Sequence, residues 1–233
     1  MELNDELDAL LARKLTESST EFASAMSADE KTIRDSRVIE TALREGEVFP
    51  DFSLPDSTGA IVRSADLLTL GPLIVSFYRG RWCPFCNLEL NALQLALPEI
   101  EELGGALVAV SPETPEHTAN ALTQFSFSFY LLSDRGNALA RKVGLVYRLP
   151  PEMQSEFWKA NIYLPAINGD DSWELPVPAT YLVGQEGVIR DAFVDVDYYH
   201  RKDPRELITE PCYMPLRGNN PNGRRGKGGR SER

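Results

Sequence analysis

The chain has 233 residues, enough for one large domain or two small ones and too many for a disulfide-stapled miniprotein. With 42% hydrophobic and 25% charged residues it has the composition of a folded globular protein, which excludes wholesale disorder and fibrous repeats. A formal charge of −11 argues against nucleic acid or an anionic membrane surface as partner, and for a small molecule or another protein.

The charge is uneven. From Arg217 onward six bases face one acid, about +5, which leaves about −16 on the rest. Glu2, Asp5, Glu6 and Asp8 precede the first base, so no targeting signal is expected, and no apolar run is long enough to cross a bilayer. Three cysteines suit a reducing, cytoplasmic compartment, in which thiols react instead of stapling the chain.

Residues 1–46 are expected to form an N-terminal helical extension of two helices. Leu3, Leu7, Leu10 and Leu11 share one face, and Ile33, Val38, Ile39 and Leu43 mark a second stripe. Ser27 with Glu30 gives a capping-box signal for the second helix, and Gly46 is placed to stop it. Such an arm either packs on the body or serves in homodimer formation or regulation. From Val48 the texture turns to short strands, VFPDFSL and AIVR around the turn PDSTG. Pro72 to Tyr78 reads as a buried strand, and the leucines at 88, 90, 93, 95 and 97 as a buried helix.

A strand over 106–111, a helix over 113–125, a strand from Phe129 and a short helix after Gly136 continue the alternation. This predicts an α/β architecture, a mixed central sheet with parallel strands flanked by helices. Residues 147–176 hold Pro150, Pro151, Pro165 and Pro176 and are expected to be an insertion of irregular or mixed structure. ATYLVG and VIRDAFVDV around Gln185, Glu186 and Gly187 predict an antiparallel hairpin, and a last helix is expected after Pro204. The main domain is thus placed at 47–212. In the basic tail over 213–233, the closing GNNPNGRRGKGGRSER has no apolar residue, and disorder is expected.

The chemistry concentrates in FYRGRWCPFC, residues 77–86, where Cys83 and Cys86 sit between a predicted strand and a predicted helix. Unpaired N–H groups and the macrodipole at a helix N-terminus stabilise an anion, so Cys83 is expected to be an exposed, reactive thiolate. Cys86, one turn inward, can close a disulfide with it, and Pro84 pre-sets the first helical φ angle. Arg79 and Arg81 are candidates to support the thiolate, or face solvent. Trp82 lines the substrate approach, or packs. Zinc would need two further ligands. Cys212, His117 and His200 stand alone in the sequence, so no metal and no cofactor is expected.

Five stretches carry a resemblance over about residues 46–200: EVFPDFSLPDSTG, PLIVSFYRGRWCPFCNLEL, LVAVSPETPE, LLSDRGNALARKVGLVY and VPATYLVGQEGVIR. Through them the chain resembles the peroxiredoxin-like branch of the thioredoxin-fold superfamily, the alkyl hydroperoxide reductase and thiol-specific antioxidant group. The resemblance implies a thioredoxin-like fold, with Pro178 as a cis-proline beside the active site. It also exposes departures. Members of the group place a proline seven residues and a threonine or serine three residues before the reactive cysteine, where this chain has Ser76 and Gly80. The arginine they place before the late strand is replaced by Pro178, so both polar helpers are expected to be missing unless Arg79 or Arg81 substitutes.

Three functions follow. In the first, Cys83 attacks a hydroperoxide, Cys86 resolves the sulfenic acid, and a thioredoxin-type dithiol or low-molecular-weight thiol restores both. In the second, the pair exchanges with disulfide substrates without significant peroxidase activity. In the third, oxidation of the pair switches a binding surface. The first is the expectation that the resemblance favours. Cys212 is expected to be incidental.

Overall fold

The computed structural model describes residues 2–122 and 127–208. The basic tail and Cys212 lie outside the described residues.

The N-terminal arm is helical, as expected. In α1 (Leu3–Glu17), Glu2 and Asp5 form a reciprocal capping box, and Leu3, Leu7 and Leu10 turn inward. α2 (Thr20–Asp35) begins earlier than Ser27 suggests. Its cap is Ser19, whose hydroxyl accepts from the Phe22 N–H at 3.1 Å. Ser27 is interior and donates to the Ala23 carbonyl. The helix breaks at Arg37, which is left-handed at φ 60°, before the one-turn α3 (Val38–Thr41). Gly46 therefore stops no helix, and its N–H instead bonds the Ile189 carbonyl at 2.9 Å, tying the arm to the sheet.

β1 (Ser53–Pro55) and β2 (Ile61–Arg63) form a small antiparallel ladder, and α4 (Ser64–Leu68) leads into β3 (Leu73–Phe77). Then follow α5 (Pro84–Glu102), β4 (Ala106–Ser111), α6 (Pro115–Leu122), β5 (Tyr130–Ser133) and α7 (Ala138–Val143). The hairpin of β8 (Ala179–Val183) and β9 (Ile189–Val194) completes a five-stranded sheet. Its order is β5-β4-β3-β8-β9, parallel over the first three and antiparallel at the hairpin. Every residue of β3 and β8 is buried, the pattern of strands covered on both faces.

The 147–176 segment is more ordered than its prolines suggest. It carries α8 (Pro151–Lys159) and α9 (Leu164–Asn168), between β6 (Val146–Arg148) and β7 (Glu174–Pro176), which pair antiparallel. Pro151 and Pro165 occupy first-turn positions, where proline costs no hydrogen bond, so they start helices instead of breaking them. The expected last helix is α10 (Pro204–Ile208). α1 packs on α5 and α2 on α8, and one continuous core runs from Leu3 through the sheet to Ile208. No described helix is long and apolar enough to cross a membrane.

Candidate active site

The buried strand β3 delivers the chain to a sharp turn, and α5 starts immediately after it. Cys83 is the N-cap residue of α5 and Pro84 its first residue, so the local reading of the sequence holds. Cys83 and Cys86 are both free thiols. Cys83 is not exposed as expected, because the arm and α8 roof it over and leave it 2% accessible. It is reached through an apolar cavity of ≈ 170 Å³. Phe22 and Met26 of α2, Met153 and Phe157 of α8, Trp82 and Tyr198 form its walls, and Lys14 stands on its lining. Trp82 meets Phe157 edge-on at 4.8 Å between ring centroids.

Burial alone would push the Cys83 thiol up. It is outweighed by the Cys86 S–H hydrogen bond, the Arg79 and Arg201 guanidinium charges and the Cys86 backbone N–H, which bring Cys83 down to about 6. Cys86 moves the opposite way, well above the ordinary thiol value, through burial and the neighbouring Cys83. One thiol is thus held ionised and its neighbour protonated.

Both guanidiniums are buried and oriented by partners. Arg79 donates to the Asp29 carboxylate of α2 at 3.1 Å, and the Tyr147 hydroxyl donates to the same oxygen at 3.4 Å. Its guanidinium lies 5.3 Å from the Trp82 ring centroid and 4.4 Å from that of Tyr198. Burial pushes Asp29 up, opposed by Arg79 and Tyr147. Arg201 follows β9 and binds Glu89 of α5 at 2.6 Å, while Thr180 donates to the other Glu89 oxygen at 3.0 Å. A second Arg201 nitrogen lies 3.8 Å from the Cys86 sulfur. Position 80 supplies no hydroxyl, as expected, while Arg79, the substitute the sequence offered, and Arg201 of the C-terminal segment place two cations beside the thiols.

Arg81 has a different role from Arg79. Its backbone N–H donates to Glu113 at 3.1 Å, and its side chain interacts with Glu113 and Tyr78. Gly80 is explained by its backbone. At φ +144° only glycine sits easily, and a Cβ there would lie 2.3 Å from the Trp82 indole nitrogen. The indole fills the volume that a threonine or serine side chain would need. Pro178 lies where the resemblance puts it, one residue before β8 and opposite the end of β3. It is trans, since no cis peptide bond occurs among the described residues. The N–H of Val177, the residue before it, bonds the Leu145 carbonyl at 2.9 Å. His200, isolated in sequence, comes within 4.8 Å of Asp195 and Asp197 in a partly exposed group, in which Arg34 already pairs with Asp197.

Sequence reasoning missed Asp29, Tyr147, Tyr198, Arg201 and Glu113. The first four come from distant segments with no local signal. Glu113 had one, because it lies just past the carboxyl end of a parallel strand, where sites in α/β sheets gather.

A family model described as AhpC/TSA family matches residues 46–192. The chain belongs to the AhpC/TSA family. A putative peroxiredoxin of Mycobacterium tuberculosis is 29% identical over 119 residues, 49% of this chain and 77% of that protein. The peroxiredoxin Bcp of Escherichia coli K12 is 27% identical over 103 residues, 44% of this chain and 65% of its own. Among solved structures, peroxidoxin BcpB from Mycobacterium tuberculosis superposes with a TM-score of 0.57 at 20% identity, covering 76% of this chain and 99% of that one. A PrxQ variant from Xylella fastidiosa gives 0.55 at 18%, covering 71% and 93%. The thioredoxin-like fold is that of these peroxiredoxins. Within this AhpC/TSA chain, Asp29, Tyr198 and Arg201 all fall outside the matched span.

Proposed function

We propose that Cys83 is the peroxide-attacking thiol of this AhpC/TSA enzyme and Cys86 its resolving thiol. Family membership makes the chain a thiol peroxidase, and the residue roles rest on the site. The observation that carries them is the opposed ionisation of two buried neighbouring thiols under two oriented guanidiniums. The Cys83 thiolate attacks one peroxide oxygen, an S–O bond forms, the O–O bond breaks, and the departing oxygen takes a proton to leave as an alcohol or water. Arg79 and Arg201 are oriented before the reaction, so they stabilise charge developing on that oxygen without reorganising. Cys86 then forms the disulfide and releases water.

The apolar cavity supports an organic hydroperoxide. A dry cavity of about 150 Å³ accommodates benzene, so ≈ 170 Å³ suits an aryl or short alkyl group. The disulfide would be reduced by a thioredoxin-type or small thiol in a cytoplasmic setting, with the arm available for self-association. Disulfide exchange is a second reading, favoured by the CxxC spacing.

The test follows cumene hydroperoxide consumption by the reduced protein in single turnover. Cys83→Ser should abolish the burst, and Cys86→Ser should retain it while leaving a trappable sulfenic acid. A Cys83→Ser protein that still consumes one equivalent would overturn the assignment. Reduction of a small disulfide with no peroxide burst would move it to the second reading.

A further inference from the structure

The cavity over Cys83 carries charge of one sign. The protein as a whole holds 35 acids against 24 bases, yet Lys14 and Arg79 line the cavity and no described acid does. The two cations are not equivalent. Arg79 is 2% accessible and committed to the Asp29 carboxylate at 3.1 Å, so its charge is already paired. Lys14 is half-buried in the last turn of α1, and its ammonium has no ion pair or hydrogen bond among the described residues. Other lysines differ: Lys31 pairs with Asp35, Lys159 with Glu156 and Lys202 with Asp191.

An unpaired ammonium on the lining of an apolar cavity fits one kind of ligand, an apolar body with a negative group at one end. Phe22 and Met26 of α2 and Phe157 of α8 supply the apolar wall. At ≈ 170 Å³ the cavity takes about one ring, and a long acyl chain is several times larger. A single ammonium matches a singly charged carboxylate. A phosphate carries about −1.5 to −2 charge and is matched by the several fixed donors of an arginine cluster.

We propose that Lys14 sets the substrate preference of the Cys83 site by pairing with the carboxylate of a compact hydroperoxide, such as an aryl hydroperoxide with the two groups on opposite sides of the ring. The inference rests on the assignment of Cys83 as the peroxide-attacking thiol. The apolar body fills the cavity between α2 and α8, the peroxide meets Cys83 and the carboxylate meets Lys14. The carboxylate is unchanged by the reaction. The Cys83 sulfur forms the S–O bond and is oxidised, the peroxide O–O bond breaks, and the departing oxygen takes a proton from water, so the substrate leaves as a hydroxy acid. Lys14 has no part in breaking the O–O bond and acts through binding. Lys14, Phe22 and Met26 all precede residue 46, where the family match begins, so this preference belongs to the arm and not to the shared domain.

The test compares two size-matched substrates, cumene hydroperoxide with a para carboxylate and the same molecule with a neutral para carboxamide. Single-turnover oxidation of the reduced protein in low salt gives a rate ratio, carboxylate over carboxamide. In the unsubstituted protein the ratio should be about three to ten, the worth of one partly exposed ion pair. The advantage should lie in the concentration that gives the half-maximal rate and not in the limiting rate. Lys14→Met keeps an unbranched stem over the apolar wall and removes the charge, so the ratio should fall to about one, and Lys14→Glu should bring it lower still. Salt at about 1 M, where the Debye length is about 3 Å, should compress the wild-type ratio toward one and leave that of Lys14→Met unchanged. A wild-type ratio of about one, or a raised ratio that survives in Lys14→Met, overturns the proposal. Absence of a Cys83 burst with either substrate is a separate result, which defeats the assignment of the thiol and this inference with it.

Discussion

Replacing Arg79 with methionine removes one of the two cations that hold Cys83 ionised. With Cys83 at about 6, roughly nine-tenths of it is thiolate at pH 7, against about 1% for a thiol at the ordinary value of 9.0, a roughly ninetyfold advantage. Loss of a close opposite charge should move the Cys83 midpoint from about 6 to between about 7 and 9. The thiolate fraction at pH 7 then falls to between about a half and a hundredth. Iodoacetamide alkylation across pH, read on the Cys83 peptide by mass spectrometry, measures this directly and separates it from the other thiols.

Arg79→Met also strands Asp29 in the core, and leaving half of a buried ion pair costs about 3–5 kcal/mol. A stability loss by itself would therefore say nothing about the thiol. The double variant Asp29→Asn, Arg79→Met resolves the two effects. It removes both charges, so urea unfolding should recover most of the lost stability while the Cys83 midpoint stays high. An alkylation midpoint that remains near 6 in the double variant would refute the role given to Arg79 and leave Arg201, the helix N-terminus and Cys86 as sufficient causes.

Gly80→Ala forces a side chain onto a backbone at φ +144° and against the Trp82 indole. A stability loss of about 1–3 kcal/mol and a slower Cys83 oxidation are expected, measured by urea unfolding and single-turnover peroxide consumption. Phe157→Ala opens the cavity wall opposite Trp82, and should cut the rate with cumene hydroperoxide about tenfold while sparing hydrogen peroxide. Stability should depend on pH with two opposite signs. The lowered Cys83 stabilises the folded state above its unfolded value of 9.0, and this gain is lost as pH falls through about 6. The raised Glu113 contributes fully below 4.5, and its contribution is lost as pH rises through about 7. Urea unfolding of Cys83→Ser and Glu113→Gln across that range should each remove one slope, and a difference from wild type that does not vary with pH would contradict the cited shifts.

The sequence revealed features whose cause is local. The apolar run Leu73–Phe77, the proline at 84 and the leucine spacing of α5 each act within a few residues, and they place Cys83 at a helix start without knowledge of the rest of the chain. Local signals also misled. Ser27 with Glu30 fits a capping box, yet apolar spacing through Phe22, Met26 and Ile33 carries the helix past it, and Ser19 caps instead. Prolines at 151 and 165 read as breakers because proline disrupts a helix interior, whereas both stand at helix starts.

The electrostatics of the site have no local cause. Asp29 reaches Arg79 across 50 residues, Tyr147 reaches Asp29 across 118, and Arg201 reaches Cys86 across 115. In sequence each is an ordinary polar residue, and only the folded chain makes it a buried partner. The family-matched span holds both thiols, Arg79 and Glu113, but the counter-charge on Arg79 and the cation beside Cys86 come from the flanking segments. The fold is therefore common ground with the relatives, and the two thiols lie inside the matched span. The ionisation of Cys83 and the shape of its cavity depend on residues for which the family match gives no counterpart. A chain shortened to 46–192 would keep the two cysteines and lose Asp29, Arg201 and four of the cavity's lining residues, Lys14, Phe22, Met26 and Tyr198.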